Sequence, residues 1–97
     1  MTSRSPSNDE RVTVVTCRYW GGAKAAAGTE SELVAATTLA GVMAEITRRR
    51  PADRRFSDVV DACSVLVEGV AVGSRDPASV QLRTRTTVEF LPPFAGG

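Results

Sequence analysis

The sequence contains no histidine and only two cysteines, Cys17 and Cys63. Together these shortages remove every Ser-His or Cys-His nucleophilic arrangement and leave too few soft ligands for a zinc site within one chain. Each cysteine sits in or beside an apolar run, Val14-Val15-Thr16-Cys17 and Cys63-Ser64-Val65-Leu66-Val67. A thiol in such surroundings acts as a small hydrophobe, so both are expected to be buried and unreactive, and no metal is expected. No stretch approaches the roughly 20 apolar residues of a membrane span, and the polar start, Met1 to Arg11, is unlike a secretion signal. The expected location is the cytoplasm, a reducing compartment that argues against a disulfide. Net charge is only +1, from 12 basic and 11 acidic residues, so no strong field marks nucleic acid or an anionic membrane as a main partner. The one local concentration, Arg48, Arg49, Arg50, Arg54 and Arg55, reads as a solvated helix end whose cations complement the carbonyl dipole.

With 97 residues, 42% of them hydrophobic and 24% charged, the chain fits one domain with a modest core. Residues 1–10 mix Ser, Pro, Asn and charges without periodicity and are expected to be a disordered leader. Residues 11–91 carry the domain. Arg11 to Trp20 has apolar residues on both parities and predicts a central strand buried on much of both faces. Gly21-Gly22 breaks it, and Ala23 to Gly28 predicts a connection or one loose helical turn. A second strand, Glu30 to Ala36, returns antiparallel. Thr37 or Thr38 can cap a helix in which Leu39, Val42, Met43 and Ile46 form one apolar stripe. Arg48 to Arg50 complete its last turn and Pro51 ends it. Gly41 costs about 1 kcal/mol relative to Ala in a helix, which points to close approach of the helix to a sheet.

A short turn is expected at Phe56 to Asp61. Ser64 to Val67 and Val70 to Val72 then form a hairpin around Glu68-Gly69, and Gly73 to Ala78 is a turn region. The last strand covers Thr86 to Leu91, with Val88 and Phe90 on one face. After it come Pro92-Pro93-Phe94-Ala95-Gly96-Gly97. The prolines cannot extend a ladder and favour an extended, hydrogen-bond-free path, which would hold the glycines away from the body. The terminal carboxylate is the one backbone carboxylate of a chain, and two glycines remove every side chain that would bar it from a narrow active site.

The chain resembles the ubiquitin-like sulfur carrier family, of which the small subunit of molybdopterin synthase is the nearest type. The matching pieces are Arg18-Tyr19-Trp20, Ala25-Ala26-Ala27-Gly28, Thr38-Leu39-Ala40, Cys63-Ser64-Val65-Leu66-Val67-Glu68-Gly69 and above all Leu91-Pro92-Pro93-Phe94-Ala95-Gly96-Gly97. Two departures stand out. Glu68 replaces a frequent Asn before the hairpin glycine, and Arg85-Thr86 replaces a frequent Gly-Asp turn, a change that implies a rebuilt turn because Arg tolerates positive φ poorly.

The resemblance implies an α+β, β-grasp fold: a mixed sheet with one main helix on one face and a flexible tail over residues 92–97. It implies that the Gly97 carboxylate is the reacting group, adenylated with ATP by an E1-like adenylating enzyme and converted by a sulfur donor enzyme to a thiocarboxylate. The sulfur then passes to a pterin precursor in the large subunit of molybdopterin synthase, which supplies the acid and base groups. The small subunit itself is non-catalytic and holds no cofactor. Leu91, Pro92, Pro93, Phe94, Ala95 and Gly96 form the partner-binding tail, with Leu91 and Phe94 as apolar anchors. The same tail would serve a carrier for cysteine or another thiolated metabolite, a protein modifier joined to lysines, or a plain interaction module.

Overall fold

β-Branched residues at Val14, Val15 and Thr16 favour extended backbone. In a computed structural model that describes residues 12–93, strand β1 spans Val14–Tyr19. Its alternation turns Val15, Cys17 and Tyr19 into the interior and Thr16 and Arg18 away from it. Burial on both faces, expected from valines of both parities, is not found: Val12 is 48% exposed and one face of β1 carries the core. β2 (Ser31–Ala35) runs antiparallel to β1, with Cys17 opposite Glu32. β3 (Ser64–Val67) and the two-residue β4 (Val70–Ala71) form the expected hairpin. β5 (Thr87–Leu91) runs parallel to β1 and antiparallel to β3. The order β2-β1-β5-β3-β4 makes a mixed sheet with the chain's last strand at its centre. The expected leader, residues 1–10, lies outside the described residues.

Helices α1 (Gly21–Ala27), α2 (Leu39–Arg48) and α3 (Arg54–Ala62) cover one face. α2 follows the sequence expectation. The Thr38 hydroxyl accepts from the Gly41 N–H at 3.1 Å, and Leu39, Val42 and Ile46 are buried with Met43 at the margin. What Gly41 approaches is the preceding turn rather than the sheet: a Cβ there would lie 3.3 Å from Ala36 Cβ. α3 corrects the expected short turn at Phe56 to Asp61. Asp53 caps it, accepting from the Phe56 N–H at 2.8 Å, and Phe56, Val59 and Val60 make its apolar stripe. Only three residues carry that periodicity, too few to declare a helix. α1 replaces the expected loose turn. Its two leading glycines disfavour helix, but packing along α3 stabilises it, and Gly28 in left-handed geometry closes it by donating to the Lys24 carbonyl.

The segment after the expected Gly73–Ala78 turn also contributes to the core. Asp76 caps a single 3₁₀ turn, Pro77–Ser79. The Leu39 N–H then donates to the Val80 carbonyl at 3.0 Å and the Leu82 N–H to the Thr37 carbonyl at 2.9 Å, which seats Val80 and Leu82 in the interior. Both family departures hold positive φ. Glu68 (52°) and Gly69 (79°) form a two-residue hairpin turn of the primed type that matches strand twist. The Glu68 carboxylate accepts from the Thr87 N–H at 2.9 Å and its own N–H donates to the Thr87 carbonyl, so the hairpin is tied to β5. Arg85 sits at φ 72° in the Arg83–Thr86 turn. That turn is not rebuilt to suit Arg. The Arg85 N–H donates to the Val14 carbonyl at 2.7 Å and the Thr16 N–H to the Thr86 carbonyl at 2.9 Å, so docking onto β1 holds the strained residue in place.

The arginine cluster is not a uniformly solvated helix end. The Arg50 side chain is only 15% exposed and pairs with Glu32 at 2.9 Å. It donates to the Ile46 carbonyl at 3.0 Å and to the Ala27 carbonyl, and stacks over Phe56 at 4.4 Å. Arg49 binds Glu32, Glu45 and the Leu33 carbonyl. The Tyr19 hydroxyl donates to Glu32 at 2.5 Å while its ring packs between Phe90 and Phe56. Burial pushes the Glu32 carboxyl up, but the Tyr19 hydroxyl and the Arg50 and Arg49 guanidinium groups outweigh it and hold the group below the ordinary 4.5.

Because its folded value is lowered, Glu32 contributes stability that is fully present above about pH 4.5 and is lost as pH falls through the folded value. Glu32→Gln is expected to lose about 2 kcal/mol at neutral pH, below the ~3–5 kcal/mol of a fully buried pair. The gap from wild type should narrow as pH falls below about 4.5, as read from urea midpoints. Arg85→Gly, which removes the left-handed strain, is expected to stabilise the domain by about 0.5–1 kcal/mol, visible as a rise of a few degrees in thermal midpoint.

Candidate functional site

Central placement of β5 makes the tail begin at a fixed point. The strand is bonded on both sides, to β1 and β3, and the Trp20 N–H donates to the Phe90 carbonyl at 3.1 Å. Leu91, its last residue, pairs with Ser64 and points away from the helices, half-buried on the open sheet face. It therefore does not close the core. Pro92 is half-buried beside Gly21, where a Cβ built on the glycine would lie 3.6 Å from the proline Cγ. Gly21 itself holds φ +48°, a conformation favourable to glycine. Pro93 is exposed. Together Pro92 and Pro93 line an open groove with Gly22 of α1 and with Arg54, Arg55, Asp58, Val59 and Ala62 of α3. The root of the tail thus lies along α3, and the prolines do not simply project away from the domain. Phe94, Ala95, Gly96 and Gly97 lie outside the described residues.

Next to that root is a surface that sequence reasoning missed as a site. The sheet face opposite the helices presents Leu33, Thr16, Arg18, Thr87, Glu89, Leu66 and Leu91. Trp20 borders it, 41% exposed, and Leu33 on the edge strand is 63% exposed. Arg18 stacks over the indole at 4.7 Å and Glu89 accepts from Nε1 at 3.1 Å, so the ring is held in one orientation beside the end of β5. A preset, exposed tryptophan is the kind of residue that dominates binding at interfaces. The available signal was that Trp20 has the opposite parity to the buried Tyr19 on the same extended segment.

The remaining candidates are quieter. Cys17 is buried, and burial, then the Glu32 charge, pushes its thiol up to about 12. Cys63 is half-buried, with its thiol pushed up to about 11 by burial. Both are free thiols and neither is poised as a thiolate. Cys63 lines a cavity of about 310 Å³ between α2, α3 and the β3–β4 edge. Among the described residues no group of three or more Cys, Asp or Glu could hold a metal ion, and no helix is long and apolar enough to cross a membrane.

No protein-family model matches the chain, and no curated protein matches it in sequence. Solved structures do match in shape. The small archaeal modifier protein 1 of Methanosarcina acetivorans superposes with a TM-score of 0.73 at 18% identity, covering 90% of this chain and 99% of that one. One chain of the complex of subunits 1 and 2 of the molybdopterin-converting factor of Helicobacter pylori gives a TM-score of 0.65 at 19% identity, with 88% of this chain and 100% of that one covered. A putative molybdopterin converting factor subunit 1 of Pyrococcus furiosus gives 0.67 at 20% identity, with 84% and 98% covered. The chain shares the ubiquitin-like β-grasp fold. Within it, the helix face carries the core, and no other described element covers the open sheet face.

If Arg18 and Glu89 hold the Trp20 ring, the double variant Arg18→Ala, Glu89→Ala is expected to increase collisional quenching of its fluorescence. Arg18 is exposed and Glu89 half-buried on the open sheet face, so the two changes together should alter unfolding free energy by no more than about 1 kcal/mol.

Proposed function

We propose that this chain is a sulfur carrier that works through the carboxyl terminus of Gly97 as the small subunit of molybdopterin synthase. The observation that carries the reading is the junction at Leu91-Pro92-Pro93. The central strand of the sheet, paired on both sides, ends there, and four residues, Phe94 to Gly97, follow it in the sequence. Four residues reach at most about 14 Å, enough to enter a neighbouring active site while the body stays docked outside. The likeness to converting-factor subunits supports this reading, one of them solved with its second subunit.

The chemistry follows from the group. A carboxylate is a poor electrophile. One Gly97 oxygen attacks the α-phosphorus of ATP in an E1-like adenylating enzyme, pyrophosphate leaves, and an acyl adenylate results. A sulfur donor enzyme then delivers sulfur to the acyl carbon, AMP leaves with its electron pair, and Gly97 becomes a thiocarboxylate. Its sulfur is a softer and stronger nucleophile than the oxygen it replaced, and it attacks the pterin precursor held by the large subunit. Gly96 and Gly97 pass a narrow channel, Pro92 and Pro93 reduce the ordering loss on insertion, and Leu91 with Phe94 anchors the entry. The open sheet face docks the body, with Trp20, Leu33 and Leu66 as its apolar contacts. ATP belongs to the activating enzyme, and the cytoplasm is the compartment for all three partners.

A protein-modifier role is a second reading, supported by the likeness to a small archaeal modifier protein. It uses the same adenylate but ends in an isopeptide with a lysine of another protein. Intact mass after incubation with ATP, an activating enzyme and a sulfur donor separates the two. Replacement of one oxygen by sulfur supports the carrier; adducts on other proteins support the modifier. Deleting Gly96 and Gly97 is expected to leave the thermal midpoint unchanged and abolish the mass gain, and retained sulfur transfer by the truncated chain would overturn the mechanism. Leu66→Asp on the open face is expected to weaken large-subunit binding at least tenfold, about 1.4 kcal/mol, by titration of Trp20 fluorescence.

A further inference from the structure

A single lysine, Lys24, stands among the 12 basic residues, and every other one is arginine. Lys24 lies on α1 and pairs with Glu30 at 3.7 Å. The difference between the two cations matters most at the tail root. Arg54 and Arg55 are exposed at the start of α3 and line one groove with Pro92 and Pro93. Among the described residues neither has a carboxylate partner within 4.0 Å. The four residues beyond Pro93 reach about 14 Å, and α3 from Arg54 to Ala62 is about 12 Å long. The terminal acyl group can therefore reach a side chain at position 54 or 55.

On the reading that Gly97 is carried in activated form, a primary amine within that radius is a competitor. Its nitrogen attacks the acyl carbon, the leaving group departs with the bonding electrons, the nitrogen loses a proton, and the tail is locked in an internal amide. An ordinary lysine at a pKa near 10.4 leaves about one molecule in a thousand as free amine near neutral pH, and neighbouring cations raise that share. Tethering through a short linker places the amine at an effective concentration of about millimolar or above. A guanidinium keeps its proton and offers no free amine.

We infer that Arg54 and Arg55 are specificity-determining residues of the carrier. Beside the Asp58 carboxylate that lines the same groove, they leave it a net positive charge in a form that activated Gly97 cannot acylate, so that the acyl group is kept for an external sulfur nucleophile. The inference rests on the activation of Gly97, but its chemistry can be tested without any partner enzyme.

The test uses the full chain bearing a Gly97 α-thioester of mercaptoethanesulfonate, made by intein cleavage and followed at about pH 8, where a few lysines in a thousand are free amines. Wild type is expected to hydrolyse to the free acid. Arg54→Lys and Arg55→Lys are expected to form an internal amide, one water lighter than the acid and mapped by peptide sequencing to the new lysine, roughly tenfold or more above wild type. Arg83→Lys, exposed before the far end of β5, serves as the distant control and is expected to form none. The inference is overturned if the groove lysines give no more amide than wild type, if Arg83→Lys gives as much as they do, or if wild type already closes on Lys24. The sulfur-carrier reading fails by a different result, the absence of thiocarboxylate when ATP, an activating enzyme and a sulfur donor are supplied.

Discussion

The paired Glu32 carboxylate is the point on which the layers of this domain are fixed to one another. Glu32 leaves β2 on the helix side of the sheet, where a lone carboxylate would be costly to desolvate. Tyr19 from β1 and Arg49 and Arg50 from the end of α2 converge on its two oxygens. Each partner has a second attachment. Tyr19 packs between Phe56 of α3 and Phe90 of β5, and Arg50 reaches the last carbonyl of α1 at Ala27. One carboxylate thus couples two strands directly and all three helices through its partners. A buried pair is weak evidence for stability as such, since apolar residues of the same shape can do as well. Its larger effect is geometric, because the several directed contacts are satisfied together in one relative placement of helices and sheet.

That placement explains why the end of β5 is a defined point. Phe90 is packed by Tyr19 on the helix side, and Leu91 follows on the opposite face, so β5 enters its last residue with both neighbours bonded. The Glu68 carboxylate and the Arg83–Thr86 turn fix the beginning of the same strand. Two non-glycine residues with positive φ therefore flank it, and strain of that kind persists only where the surroundings over-determine it. A sliding strand would move the tail by a whole residue and exchange its faces. On the sulfur-carrier reading, restraint at both ends of β5 suits a chain whose reacting atom lies a set number of bonds beyond Pro93.

Much of this was legible in the sequence because it is written in period. The five strands, α2 with its Thr38 cap, and the hairpin at Glu68-Gly69 follow from alternation, an apolar stripe and a turn pair. The misses have physical causes. α1 begins with two glycines and α3 has three apolar residues, so tertiary packing and the Asp53 cap supply what propensity does not. Val80 and Leu82 are isolated apolar residues in a polar segment, and only the bonds to Thr37 and Leu39 make them core. Arg50 was read with its neighbours as solvent-facing, since nothing local tells that Ala27 and Glu32 lie across from it. At the site, the tail motif was legible from composition, whereas Trp20 and the α3 groove exist only once β1, α1 and α3 are brought together around the end of β5.

The two exposed surfaces that meet at Leu91-Pro92-Pro93 differ in what they can contribute. The sheet face offers apolar side chains and a clamped indole, which suit a broad, desolvating contact with a folded partner. The α3 groove is narrower and carries two arginines beside Val59 and Ala62, directly along the path by which the tail departs. A protein that delivers its own terminus has to hold a partner firmly without letting the terminus react with itself. Separating adhesion onto the sheet and charge onto guanidinium groups meets both demands, because neither surface then presents a lysine beside Pro92 and Pro93. On this argument the choice of Arg over Lys at the tail root belongs to the chemistry of the activated carboxyl terminus as much as Gly96 and Gly97 do.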